Sequence, residues 1–74
     1  METLEITGQL GTAIRSLREA QGFSQESFAD HIGMHRAYFS SIERGERNIT
    51  VGTMARVALG LKTSLSSIFA AAGL

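Results

Sequence analysis

The stretch SQESFADHIGMHRAYFSSIERG, from Ser24 to Gly45, constrains this chain more than any other. Its apolar residues recur at helical spacing, yet a glycine interrupts the pattern after one short run and the pattern restarts at once. Ser24 is placed as an N-cap, its hydroxyl accepting from an orphan amide of a helix that carries Phe28, Ala29 and Ile32 inward. Gly33 can adopt the left-handed conformation that closes a helix, and Met34 then turns back toward the core. His35 is the expected N-cap of a second helix, in which Phe39 and Ile42 face inward while Arg36, Ala37, Ser40 and Ser41 fall on the other side. The reading is a helix over about 25–32, a tight turn, and a helix over about 36–44 with a small, polar outer face.

The remaining segments supply a scaffold of three more helices. Residues 1–7 show no helical stripe and are expected to form a lead-in, with Thr7 capping a first helix from Gly8 to about Ala20. Leu10, Ala13, Ile14 and Leu17 make its apolar face, Gly22 ends it, and Phe23 returns to the core. After the loop Glu46 to Ile49, Thr50 caps a fourth helix with Met54, Val57, Ala58 and Leu61 inward. Gly52 and Gly60 work against that helix, each by up to about 1 kcal/mol, so packing must hold it. Ser64 caps a last helix from Leu65 to about Ala71, with Leu65, Ile68 and Phe69 apolar. The uncharged end through Leu74 exposes more hydrophobic surface than one face can bury, which marks 64–74 as an association region.

Short helix, glycine turn and short helix make the helix-turn-helix pattern. At these residues the chain resembles the Cro and phage-repressor class of DNA-binding domains, the Xre-like family. Its closing ERGERN is most similar to the small controller proteins of restriction-modification systems. The resemblance runs from about Leu10 to Phe69. It implies an all-α, five-helix, lambda-repressor-like domain that regulates transcription as a homodimer on a pseudo-palindromic double-stranded operator. It also implies roles for particular residues: Gln25, opening helix two, anchors the DNA backbone with help from the Ser24 amide, and Arg18 pairs with Glu43 to clip helix one to helix three. The family's last helix dimerises, which nominates Leu65, Ile68, Phe69 and Leu74, together with the out-of-step Leu59.

Side-chain chemistry ranks the outer face of the second short helix. The planar fork of Arg36 can donate two hydrogen bonds to guanine O6 and N7, worth about 1–3 kcal/mol of discrimination. Ala37 offers a methyl, and Ser40 and Ser41 are short donors and acceptors within reach of bases. Tyr38, Arg44, Arg47 and Asn48 are placed for phosphates, which fix register and affinity rather than sequence.

Composition bounds the alternatives. Seventy-four residues, 43% hydrophobic and 19% charged with no proline, fit a single helical domain. Without cysteine there is no disulfide or thiolate metal site, and no apolar run approaches a membrane span, so the expectation is a cytoplasmic protein. His31 and His35 flank Gly33 and would not share a face, so no metal or cofactor is expected. The serines have no base at meaningful spacing, which argues against an enzyme, and no small-molecule ligand is expected. Seven basic residues balance seven acidic ones, so net charge adds no attraction to DNA. That neutrality keeps open a protein-interaction module of the same fold, such as an antitoxin or adaptor.

Overall fold

Thr3–Ala20 forms the longest helix, α1, in a computed structural model that describes residues 3–74. It is followed by α2 (Gln25–His31), α3 (Arg36–Glu43), α4 (Val51–Gly60) and α5 (Leu65–Ala71). The start of α1 corrects the expected lead-in over 1–7: residues 3–7 are helical, and Met1 and Glu2 lie outside the described residues. The physical reason is tertiary. Ile6 packs on the core one turn before Leu10, and Thr7 is not a cap but a buried residue whose hydroxyl donates to Gly45 O at 3.0 Å.

Phe28, Phe39, Ile14, Ile42, Leu61, Ile68 and Val57 are fully enclosed and draw on all five helices. Burying each side chain of this size contributes about 1.5–3 kcal/mol. Phe28 is the centre of an aromatic group, edge-on to Phe23 at 5.3 Å and tilted against Phe39 at 5.1 Å. α1 packs on α3 and α5, α2 on α3, and α4 on α5.

Helix ends are capped by one repeated device. Ser24, Thr50 and Ser64 accept through their hydroxyls from the amides of Ser27, Thr53 and Ser67. Each of the five C-termini closes with the same pair of backbone bonds, as in α2, where Gly33 N donates to Asp30 O and Met34 N to Ala29 O. That closure needs a left-handed residue, which is glycine in four cases and Lys62, at φ 56°, after α4. Gly60, expected to be a mere cost, permits α4 to lie against α2: a β-carbon there would collide with Ile32 and Phe28.

Candidate nucleic-acid interface

α3 is held from behind by two contacts with α1. Gly11 leaves room for the end of α3, since a β-carbon at that position would sit 2.5 Å from Glu43 O and 2.6 Å from Ile42 O. About two turns along, Arg18 grips the Glu43 carboxylate with both ends of its fork, Nε to Oε2 at 2.7 Å and Nη2 to Oε1 at 3.0 Å. Its Nη1 donates to Phe23 O at 2.7 Å. Only 7% of the Arg18 side chain and 2% of the Glu43 side chain are exposed. The hydrogen bonds to Glu43 and its charge raise the guanidinium pKa despite the opposing cost of burial. Gln25 completes the cluster, its Nε2 donating to Glu43 Oε1 at 2.9 Å, so one carboxylate ties α1, α2 and α3 together.

The turn between α2 and α3 is braced from a third side. Arg56, on α4, donates from Nε to Ile32 O at 2.7 Å and from Nη2 to Gly33 O, taking up carbonyls that the end of α2 leaves free. Sequence reading had no signal for this arginine, because nothing local relates α4 to the turn. At the other end of α2, the Ser24 amide expected to face phosphate instead donates to Ser27 Oγ at 2.9 Å, within a reciprocal capping box.

The outward side of α3 does not follow helical period alone. Arg36 and Ala37 are exposed, and the Arg36 side chain has no hydrogen bond or ion pair among the described residues. Ser40 is half-buried and accepts from Arg44 Nη1 at 2.6 Å. Arg44 is further engaged by Glu46 at 2.9 and 3.1 Å, an exposed pair whose hydrogen bonds raise the arginine pKa and lower that of the carboxylate. Ser41 is a correction. It is 4% exposed and faces the loop after α3, donating to Tyr38 O at 2.6 Å and accepting from Arg47 Nε at 3.0 Å, so it cannot reach a base edge. Arg47 lies over the Tyr38 ring, 5.3 Å from its centroid. Asn48 is exposed and borders an apolar cleft shared with Ile6, Leu10, Val51 and Phe69.

The surface expected to associate is likewise divided. Leu59, Leu74 and Phe69 are 79%, 45% and 37% exposed, and Leu65 is half-buried at the cleft. Ile68 is a second correction: it is fully buried in its own protomer's core and has no surface to offer a partner.

Five helices, a glycine-closed turn and an exposed α3 fixed from behind define a helix-turn-helix domain. The helix-turn-helix family model HTH_3 matches residues 14–68, and the chain belongs to that family. It is 38% identical over 71 residues to the control protein C.SmaI of Serratia marcescens, across 96% of this chain and 84% of that one. Its structure is similar to that of the restriction-modification controller protein C.AhdI of Aeromonas hydrophila, with a TM-score of 0.82 and 33% identity over 85% of this chain and 96% of that one. It is also similar to the controller protein C.Esp1396I in a tetramer complexed with its natural 35-base-pair operator, with a TM-score of 0.82 and 28% identity over 90% of this chain and 88% of that one.

Proposed function

We infer that this chain is a sequence-specific, double-stranded DNA-binding transcriptional regulator that acts as a homodimer on a pseudo-palindromic operator, in the manner of the restriction-modification controllers it is similar to. The observation that carries the reading is Arg36: an exposed, unengaged arginine at the first position of a helix whose other side is locked to α1 and α2. A rigid helix presenting a free fork suits direct readout of guanine in the major groove, with Ala37 admitting close approach and Ser40 at the next turn. Gln25, Tyr38, Arg44, Arg47 and Asn48 supply backbone contacts on this reading, and Ser24 contributes its position at the start of α2 rather than a free amide.

The exposed Leu59, Phe69 and Leu74, with the half-buried Leu65, are the apolar residues assigned to the dimer contact. Two-fold symmetry would then set the α3 helices one DNA turn apart, roughly 34 Å. Among the described residues no helix is long and apolar enough to cross a membrane. The assigned role is that of a cytoplasmic regulator without catalytic activity or cofactor. Selection of binding sites from random duplex DNA, run with the wild type and Arg36→Ala, tests the reading. A symmetric motif whose guanine preference relaxes in the variant is the expected result. No enriched motif from the wild type at low salt would overturn it in favour of a protein-docking role.

A further inference from the structure

Two arginines follow α3 closely, and the fold treats them differently. Arg44 is spent: its fork is closed on Glu46 and its remaining arm bonds Ser40. Arg47 forms no ion pair within the distance of a salt bridge among the described residues, yet it is not loose. Its Nε donates to Ser41 Oγ, and its guanidinium lies over the Tyr38 ring. The Ser41 hydroxyl has a single proton, and that proton is committed to Tyr38 O, so only lone pairs face Arg47. The serine can therefore receive Arg47 in one sense only, and the terminal nitrogens of the guanidinium have no hydrogen-bond partner among the described residues.

We propose that Ser41 is a positioning residue for DNA binding, holding Arg47 as a pre-oriented cation for a backbone phosphate beside α3. The proposal rests on the regulator reading above and adds a division of labour to it. Arg47 meets DNA already ordered, whereas Arg44 must first give up Glu46. A side chain immobilised before binding loses less rotamer freedom on contact, so its contribution to affinity is larger than that of an equal charge on a free stem.

The test is a double-mutant cycle on a duplex selected by the wild-type protein, with affinity followed against salt. Ser41→Ala should keep its fold, because the Tyr38 carbonyl retains its helical partner, and thermal melting checks this. In the wild-type background the substitution is expected to weaken binding by about threefold to tenfold without altering base preference, and to lower the slope of log affinity against log salt by up to about 1. In an Arg47→Ala background the same substitution should change neither quantity. An equal loss in both backgrounds would mean a general effect on α3 and would overturn the proposal, as would unchanged binding by Ser41→Ala alone. A wild type that binds no duplex at low salt would remove the regulator reading itself, and this proposal with it.

Discussion

Glu43 shows how much one side chain can carry in a domain of this size. Its carboxylate accepts two hydrogen bonds from Arg18 and one from Gln25 in a setting where the ion pair is nearly closed to solvent. Glu43→Ala would leave the Arg18 charge buried beside apolar neighbours, a change expected to cost about 3–5 kcal/mol. A chain of 74 residues has roughly 4–11 kcal/mol in total, so the variant should be close to unfolding at 25 °C. Urea denaturation measures the difference, and a loss under about 1 kcal/mol would mean that the pair behaves as a solvated one. Ser41 marks the limit of residue-level reading. Helical period places it at the flank of the outer face, but the loop carrying Arg47 folds over that flank, and no local pattern announces a loop's return path.

Among the elements, three of the side-chain caps were written in the chain, whereas the expected Thr7 cap and the close approaches were decided by packing. Ser24, Thr50 and Ser64 are the residue types that satisfy orphan amides, and Gly22, Gly33 and Gly45 the type that closes a helix, so element order follows from local chemistry. The start of α1 escaped because residues 3–7 gain their helical state from packing against the loop after α3. α4 holds two opposed tests. Gly60→Ala places a methyl against Ile32 and Phe28, and is expected to destabilise by about 1–3 kcal/mol despite alanine's better helix propensity. Lys62→Gly removes a side chain from a left-handed position and should stabilise by about 0.5–1 kcal/mol. Thermal or chemical melts of the two variants should move in opposite directions, and a shared direction would contradict the packing account of α4.

At the level of the whole molecule, neutrality and the exposed C-terminal residues bear on assembly. With no net charge to hold it on arbitrary DNA, the proposed regulator would gain occupancy from two copies reading two half-sites together. Phe69→Glu puts a charge on the half-exposed rim of the apolar cleft without touching the buried core. It should shift the protein to monomer in sedimentation at micromolar concentration and weaken operator binding at least tenfold, a penalty of about 1.4 kcal/mol or more. A dimer unaffected by that substitution would place the contact elsewhere.

The sequence by itself determined five helical segments and their stops, and through the stretch from Ser24 to Gly45 the helix-turn-helix class, because capping, turn chemistry and apolar spacing act within a few residues of one another. Arg36 was legible as an outward arginine for the same reason. Only the tertiary structure decided that Arg56 braces the turn, that Gly11 and Gly60 are approach points, that Ser41 and Ile68 face inward, and that Arg44 pairs with Glu46 while Arg47 bonds Ser41. Each of these depends on which distant segment lies alongside, a relation set by how five short helices fill one core and carried by no local run of the chain.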